Sequence, residues 1–337
     1  MTTGPTAAGP AEVGLTVVIP CYNEADNVSP AYEEITTKLA GYDLELLFVD
    51  DGSTDATLAE VRRLADRDPR VGFISFTRNF GFEAAFSAGY RYARRPWVLH
   101  VDADQQFPAA EARKLIDVAE TGYDAVFGVR TNRQDPLPRR WGTAAFHFIA
   151  GRVLRIELPR GATAFRLVRT SLARAIVDLR MGSPYFLATV PRLTSRYTTV
   201  SVGHRARARG KSKVGYRFLA THAIELFIGY TRRLATLASA GALVGAVLAA
   251  LAALSAAAGL LTGAGALAAV FALIMLALLT LATAVRYLVA VGADRARPRL
   301  FYIREASFPV DRAELLFGEP DRPGVDVGAA SGERGPR

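Results

Sequence analysis

Short apolar runs alternate, in the first part of the chain, with longer stretches in which apolar residues recur every three or four positions. The short runs predict buried strands and the longer stretches predict amphipathic helices. The predicted strands are 15–20, 44–50, 71–76, 97–101 and 123–129, and the predicted helices are 26–39, 56–65 and 82–93. Strands that alternate with helices predict an α/β fold with a mostly parallel sheet and right-handed crossovers.

Polar residues cluster directly after four of these strands, at positions 20–24, 50–55, 78–81 and 102–104. Folds of this class bind ligands at the carboxyl ends of the strands, so the clusters predict a site at that edge of the sheet. Individual residues also have structural explanations. Asp55 or Ser53 caps the next helix, and Gly52 is a turn glycine. We favour capping for Asp55 and ligand contact for Asp51.

The central cluster contains two carboxylates one residue apart, Asp102 and Asp104, followed by Gln106. Mg²⁺ prefers oxygen ligands, takes one or two carboxylates, and completes its shell with water and substrate phosphate oxygens. The three side chains are therefore a candidate half-shell for a divalent cation. The alternative is that the two aspartates are polar residues that end the strand and bind no ligand.

Four motifs in this order carry a family resemblance: Val18–Glu24, Val49–Asp55, Arg78–Gly81 and Asp102–Gln106. Together they resemble the GT-A glycosyltransferases of family 2. Within that family the chain is most similar to bacterial polyprenyl-phosphate glycosyltransferases and to dolichol-phosphate mannose synthase. The resemblance extends from about Leu15 to about Ala306. It implies a Rossmann-like GT-A catalytic domain whose sheet is mostly parallel.

The resemblance also implies roles for individual residues. A nucleotide-sugar would be bound by Pro20, Tyr22, Asn23, Glu24, Asp50, Asp51, Arg78 and Asp102. Mg²⁺ or Mn²⁺ would be held by Asp102, Asp104 and Gln106, where it neutralises the charge that builds on a departing diphosphate. The acceptor phosphate would meet Arg130, Arg166, Arg209, Lys211 and Lys213, and the residues acting in the reaction would be Asp104, Arg166, Arg205 and Lys213.

Three positions differ from the family pattern. Relatives often carry Asp or Gly where this chain has Ala164, Lys where it has Phe82, and Leu where it has Gln105. A sugar hydroxyl acceptor needs a carboxylate to take its proton, whereas a phosphate monoester, with a second pKa of about 6, is already largely anionic. Ala164 therefore favours a phosphate acceptor. Arg166 either screens that phosphate or is a structural ion-pair partner.

The formal net charge is +9, and part of the positive charge lies in 204–213. Its basic residues fall on every second position from Arg205 to Lys213, so an extended segment presents them on one face. The segment resembles the family's Gly-x-Ser-Lys region, near the donor diphosphate and lipid phosphate. A basic loop beside an anionic membrane and a nucleic-acid patch are alternatives. The carboxylate-rich strand ends would repel nucleic acid, and no nucleic-acid partner is expected.

No charged residue occurs between Arg233 and Arg286. Segments 234–260 and 264–285 are each apolar over the roughly 20 residues that a membrane span requires, which predicts a two-helix transmembrane hairpin in the cell membrane. Arginines on both flanks predict a cytoplasmic catalytic domain and cytoplasmic termini. Ala and Gly in the spans favour close helix packing and a homo-oligomer. A buried soluble hairpin is the alternative.

The predicted organisation therefore has six parts. They are a disordered lead-in 1–14 without a signal-peptide pattern, a GT-A domain 15–213, a juxtamembrane amphipathic helix 214–233, two transmembrane helices within 234–292, a cytoplasmic return segment 293–317, and a disordered tail 318–337. The helix lies in the membrane interface or packs on the catalytic domain. The return segment is expected to form a strand at 297–303 along the membrane surface.

The main hypothesis is inverting transfer of a sugar from a UDP- or GDP-sugar to a membrane polyprenyl phosphate. A GT-A transferase with a glycan or lipid hydroxyl acceptor and a catalytically inactive membrane scaffold are the alternatives. The single cysteine, Cys21, excludes an internal disulfide and is expected to serve packing. The four histidines show no metal-ligand spacing and are expected to be structural or surface residues.

Overall fold

The computed structural model describes residues 13–131, 137–179, 185–205, 223–224, 226–227, 233–259, 263–296 and 299–316. Predictions for Arg209, Lys211 and Lys213, for nearly all of the lead-in 1–14, and for the tail 318–337 lie outside these residues. Most of the predicted juxtamembrane helix also lies outside them.

The described strands and helices alternate as the hydrophobic pattern predicts. The strands are β1 Gly14–Cys21, β2 Asp43–Asp50, β3 Val71–Phe76, β4 Trp97–His100, β5 Ala125–Arg130, β6 Ala162–Arg169, β7 Tyr197–Val202 and β8 Ile303–Ala306. The helices are α1 Ala25–Lys38, α2 Thr57–Arg67, α3 Phe82–Tyr92, α4 Ala112–Glu120, α5 Leu137–Phe148, α6 Thr170–Asp178, α7 Phe186–Leu193, α8 Arg233–Ala257 and α9 Gly263–Ala296. A π-helical turn, Ile149–Val153, continues α5.

One sheet contains all eight described strands, in the order β7-β5-β6-β4-β1-β2-β3-β8. The pairs β1–β2, β1–β4, β2–β3 and β5–β7 are parallel. The strand β6 runs antiparallel to both of its neighbours, β4 and β5. The predicted mostly parallel α/β sheet is confirmed, and the ends of β1, β2 and β4 meet at one edge.

The sheet is covered on both faces, which explains why its strands are almost continuously apolar. Successive residues of β1 alternate between two buried clusters, with Val17 in one and Val18 in the other. The first cluster includes residues of α1, α2 and α4, and the second includes residues of α3, α6 and α7. The helices thus form a layer on each face of the sheet.

The return segment after the apolar helices joins the catalytic sheet. Its strand, Ile303–Ala306, pairs antiparallel with β3, whereas the sequence predicted a strand at 297–303 along the membrane surface. Phe301 is 4% exposed, and its ring stacks on Phe76 at 5.0 Å between centroids. Arg62 of α2 also forms an ion pair with Glu305. The apolar contact and the open edge of β3 explain why the strand forms later in the chain than predicted.

Helices α8 and α9 are long and apolar enough to cross a membrane. The qualifying segments are Thr236–Ser255, with a mean hydropathy of 2.2, and Gly263–Leu288, with 2.6, and neither is buried inside the protein. The two helices pack closely, because a Cβ on Gly245 would lie 2.9 Å from Leu276 Cδ2. Their length and exposure fit the predicted hairpin.

Five described residues, 223, 224, 226, 227 and 233, fall inside the predicted juxtamembrane helix 214–233. Leu226 is buried in a small cluster with Ala150, Leu154, Ile156 and Ala188. Phe227 stacks on Phe146 with 5.5 Å between ring centroids. This part of the chain therefore packs on the π-helical turn and its neighbours, which agrees with the packing alternative for these positions.

The close approach of α3 to β1 makes a stability prediction. A Cβ on Gly89 would lie 2.3 Å from Cγ1 of Val18, a buried β-branched side chain with few alternative rotamers. We expect Gly89→Ala to destabilise the domain by about 1–3 kcal/mol through overpacking and to lower the melting temperature of the detergent-solubilised protein by several degrees. Gly142→Ala is the matched control, because nothing lies within 4 Å of its added methyl group. Equal melting temperatures for the two variants would contradict the predicted overpacking.

Candidate active site

The first two loops of the site hold each other through hydrogen bonds. Asn23 adopts a positive φ of 53°, and its side-chain oxygen accepts from the Thr54 backbone N–H at 2.8 Å. In return, the Asn23 N–H donates to Ser53 Oγ at 3.0 Å. The buried Asp50 carboxylate accepts from the Ser53 N–H and from Ser75 Oγ. Asn23 and Asp50 therefore shape the loops after β1 and β2.

Asp51 fixes the loop that follows β3. Its two carboxylate oxygens accept from the backbone N–H groups of Phe80 at 2.7 Å and Gly81 at 2.9 Å. Burial raises the pKa of Asp51 to about 6, although both backbone bonds act against the rise. Gly52 has a φ of 68°, and a Cβ there would collide with the Arg78 backbone at 2.3 Å. Close approach of the two loops thus adds to the turn role predicted for Gly52.

The remaining predicted nucleotide-sugar residues lie on the same edge. Pro20 pairs with Val49 near the ends of β1 and β2, and Tyr22 is partly exposed in the next loop. Glu24 donates its N–H to Thr57 Oγ1 at 2.9 Å. Arg78 is exposed, and its guanidinium lies 4.0 Å from the centre of the Phe80 ring. The predicted capping role fits Asp55, which accepts from the Thr57 N–H at the first residue of α2.

The predicted metal residues form a tight turn after β4. Asp102, Asp104 and Gln106 are partly exposed, and Ala103 between the two carboxylates is buried. Gln105 has a φ of 54°, a left-handed conformation that is unusual for a residue other than glycine. The Gln106 N–H donates to Asp104 Oδ1 at 3.2 Å. The turn therefore holds both carboxylates at the surface of the site.

His100 supports the first carboxylate from inside the protein. The side chain is fully buried, and its Nε2 lies 3.0 Å from Asp102 Oδ1. Burial lowers the pKa of His100 to about 4, so the ring is neutral and donates from Nε2. Burial acts to raise the pKa of Asp102, but the bond from His100 and the charges of Arg166 and Arg130 lower it overall. Asp102 is thus a carboxylate held ionised and oriented by His100.

Among the described residues, no group of three or more His, Cys, Asp or Glu side chains could hold a metal ion by itself. Asp102, Asp104 and the Gln106 amide offer hard oxygen donors, and such a partial set suits Mg²⁺ or Mn²⁺ when substrate phosphate completes the shell. The chemistry of the donors therefore fits a divalent cation that binds together with a diphosphate.

Two arginines approach this turn from β5 and β6. Arg130 ends β5, lies 5.5 Å from the centre of the Phe107 ring, and is close enough to Asp102 to influence its pKa. Arg166 is 3% exposed, and its Nε donates to Tyr90 Oη at 2.7 Å. The Arg166 guanidinium also lies over the rings of Phe86 and Phe186. Arg130 and Arg166 therefore both lie close enough to Asp102 for their charges to act on its carboxylate.

The basic segment touches the same turn where it is described. The Arg205 backbone N–H donates to the Gln106 carbonyl at 2.8 Å, and its guanidinium pairs with Glu34 at 3.1 Å. His204 packs edge-on against Phe107 at 5.3 Å. Arg205 thus holds the predicted metal-binding turn through its backbone N–H, while its side chain pairs with Glu34 of α1.

The structure adds two residues that sequence reasoning did not assign to the site. His100 precedes Asp102 by two positions, and the period of two along a strand was the signal that both share a face. Glu83 lies in the first turn of α3, and its Oε2 is buried without a hydrogen-bond partner. Burial raises the pKa of Glu83 to about 7, against the effect of Arg166. Only the fold reveals that α3 faces Arg166.

Comparison with known proteins shows the family of this chain. The profile of glycosyl transferase family 2 matches residues 16–177. An undecaprenyl-phosphate 4-deoxy-4-formamido-L-arabinose transferase of Pseudomonas savastanoi pv. phaseolicola is 32% identical over 70% of this chain and 72% of its own length. The chain belongs to glycosyl transferase family 2. Its fold is the GT-A fold that the sequence motifs predicted, and the family prediction is confirmed.

Two further proteins are similar to this family 2 chain. An uncharacterized glycosyltransferase of Synechocystis sp. (strain PCC 6803) is 30% identical over 63% of this chain and 68% of its own length. Glucosyl-3-phosphoglycerate synthase from Mycobacterium tuberculosis, crystallised with Mn²⁺, UDP and glucosyl-3-phosphoglycerate, is 19% identical. The matched region covers 69% of this chain and 86% of the synthase chain, and the TM-score is 0.47.

Glu83 generates a prediction about pH and stability. Its pKa rises on folding from 4.5 to about 7, so the folded state holds the proton more tightly and loses stability as the pH increases through that window. Glu83→Gln removes the titration. We expect its stability relative to the parent to rise between pH 4.5 and 7, by at most about 3 kcal/mol.

The measurement is the melting temperature of detergent-solubilised protein at pH 5, 7 and 8. Glu33→Gln, at an exposed position of α1, is the control and should track the parent at every pH. A constant difference between Glu83→Gln and the parent from pH 5 to 8 would show that Glu83 does not titrate in this range.

Proposed function

We propose that this protein transfers a sugar from a UDP- or GDP-sugar to a membrane polyprenyl phosphate, with inversion at the anomeric carbon. The observation that carries the proposal is the turn after β4, where Asp102 and Asp104 stand partly exposed beside Arg130 at the carboxyl edge of the sheet. The name of the Pseudomonas relative supports an undecaprenyl-phosphate acceptor. The two long apolar helices support a place at the membrane.

The donor binds across the loops after β1, β2 and β3. Asn23 and Asp51 hold those loops in one arrangement, which leaves Tyr22 and Arg78 at the surface to contact the nucleotide. Asp102, Asp104 and Gln106 would hold Mg²⁺ or Mn²⁺, and the cation would neutralise the charge of the departing diphosphate. His100 keeps Asp102 oriented for that task through its 3.0 Å contact.

The acceptor phosphate needs no carboxylate to activate it, because a phosphate monoester is largely anionic near neutral pH. One of its oxygens bonds to the anomeric carbon from the face opposite the diphosphate, and the bond to the diphosphate breaks. Arg130 is the described cation that positions the phosphate, and the buried Arg166 screens its charge from inside the protein. Arg209, Lys211 and Lys213 are assigned the same role by the family resemblance. Ala164 has a small side chain that cannot act as a base at its position.

The membrane arrangement is part of the proposal. The hairpin of α8 and α9 crosses the cell membrane, with the catalytic domain and both termini in the cytoplasm. Nucleotide-sugar and the lipid phosphate then meet on the same side of the bilayer. The small residues along the hairpin, Gly245 among them, are suited to contacts between copies of the chain, so a homo-oligomer remains part of the prediction.

The primary test is transfer of radiolabelled sugar from a panel of UDP- and GDP-sugars to polyprenyl phosphate by the detergent-solubilised protein. We expect a labelled, organic-extractable product with Mg²⁺ or Mn²⁺ and none with chelator. Asp104→Asn should lower the rate at least about 100-fold, since a metal supplies several kcal/mol to such a transition state. Asp117→Asn, at an exposed position of α4, should transfer sugar at the parental rate.

Nucleotide release without labelled lipid would direct the search to another acceptor. Transfer by Asp104→Asn at the parental rate would show that the metal assignment is wrong. If the protein bound none of the nucleotide-sugars in a metal-dependent way, the result would support the inactive scaffold instead.

The His100 contact makes a separate prediction about metal affinity. Outer-shell partners of metal ligands typically change affinity by about 10–100-fold when they are removed. We expect His100→Phe to weaken Mn²⁺ binding by that factor in the presence of UDP or GDP, measured by the electron paramagnetic resonance signal of free Mn²⁺. His100→Gln keeps a side-chain donor and should recover part of the affinity. Unchanged Mn²⁺ affinity in His100→Phe would mean that the contact does not support the metal.

A further inference from the structure

A cavity outside the candidate active site lies between the end of α5, the π-helical turn and the loop that leads into β6. Its volume is about 950 Å³. Three arginines line it: Arg152, Arg155 and Arg160. None of these belongs to the residues assigned to donor, metal or acceptor. We propose that this cavity binds the phosphate of an anionic membrane phospholipid.

The charge of the cavity favours an anion. All three arginines are exposed, and the structure pairs none of them with a carboxylate of the described chain. Among the described residues that line the cavity, Glu157 is the one carboxylate, and it accepts from Tyr197 Oη at 2.8 Å. Guanidinium groups match phosphate oxygens in charge and geometry. The arginines therefore present uncompensated positive charge to a ligand.

The backbone of the cavity wall is irregular where the arginines are placed. Arg152 lies in the π-helical turn, a conformation that is frequent at functional sites. Arg155 adopts a φ of 55°, which is costly for a residue with a Cβ. The Ile156 N–H donates to the Ala150 carbonyl at 2.8 Å and closes the loop. This hydrogen bond maintains an arrangement that places Arg152 and Arg155 on one cavity.

The surroundings indicate a lipid rather than a soluble anion. Trp141 is 76% exposed and Phe148 is 62% exposed, and their spacing of two helical turns puts both on one face of α5. Ile149 and Val153 in the π-helical turn are also exposed apolar residues. Exposed aromatic and aliphatic side chains beside arginines are typical of a surface that lies in the membrane interface.

The membrane hairpin begins next to the same turn. Arg233, the first residue of α8, has its Nη1 3.5 Å from the Val153 carbonyl oxygen. The cavity therefore lies at the level where the chain enters the apolar helices. An anionic leaflet attracts arginines placed at this depth, and a phospholipid reaches the cavity from the bilayer without crossing water. The inference rests on the membrane arrangement in the proposed function, but not on its donor or acceptor.

The experiment uses the full chain in nanodiscs of phosphatidylcholine that contain spin-labelled phosphatidylglycerol or spin-labelled phosphatidylcholine. The motionally restricted fraction of each lipid gives their relative affinities. We expect a preference for phosphatidylglycerol of at least about fivefold, the factor that one interfacial arginine supplies. The triple variant Arg152→Gln, Arg155→Gln, Arg160→Gln should abolish the preference. The matched control neutralises three exposed arginines elsewhere, in Arg67→Gln, Arg304→Gln, Arg312→Gln, and should retain it.

Each opposing result has a defined meaning. Equal preference in the parent and in the cavity variant, or no preference in the parent, would overturn the lipid site and leave the proposed function intact. Displacement of labelled phosphatidylglycerol by millimolar inorganic phosphate would assign the cavity to a soluble anion and overturn the lipid assignment. A chain that stays in the aqueous phase and does not enter nanodiscs would overturn both the site and the membrane arrangement.

The cavity is also distinguishable from an acceptor site. In transfer assays the cavity variant should keep the parental KM for polyprenyl phosphate. An increase in that KM, together with the same phosphatidylglycerol preference as the parent, would mean that the arginines serve the acceptor, and it would overturn the proposal.

Discussion

The parallel register of β1 with β2 and β4 is the constraint on which the site depends. Cys21 pairs with Asp50, and Val18 pairs with His100, so the three strands end at the same edge of the sheet. Each strand is buried on both faces, and slippage by one residue would exchange the two apolar clusters. The core therefore fixes where the polar loops begin. Asp51 and Asp102 lie in one site because the apolar residues before them allow only this register.

Burial also determines which charges the site can hold. Arg166 is nearly inaccessible, and aromatic rings and the Tyr90 hydroxyl surround its guanidinium. One of its terminal nitrogens, one oxygen of Glu83 and Nδ1 of His100 are buried without hydrogen-bond partners. Such groups are costly in a folded protein, and they are tolerated at sites that are organised in advance for a ligand. In the proposed function, the substrates bind at the edge of the sheet next to these groups.

Hydrophobic periodicity predicted the alternating strands and helices, because both faces of the sheet require continuous apolar runs. The four polar clusters predicted that the candidate site lies at the carboxyl ends of the strands, and the structure brings the ends of β1, β2 and β4 to one edge. Sequence reasoning placed the last strand too early, because its formation depends on β3 and Phe76, far away in the chain. It also left Glu83 unassigned, since no local pattern shows that α3 faces Arg166. Contacts between distant segments were the part that required the structure.

The return segment connects the apolar hairpin to the loop that Asp51 holds. Only six residues separate the end of α9 at Ala296 from the start of β8 at Ile303, and that length of chain spans at most about 25 Å. The Tyr302 carbonyl accepts from the Thr77 N–H at 3.0 Å, and the Tyr302 ring lies 6.1 Å from the ring of Phe80. Phe80 in turn donates its N–H to Asp51. The short connection therefore keeps the loop after β3, which is part of the proposed donor site, close to the apolar helices.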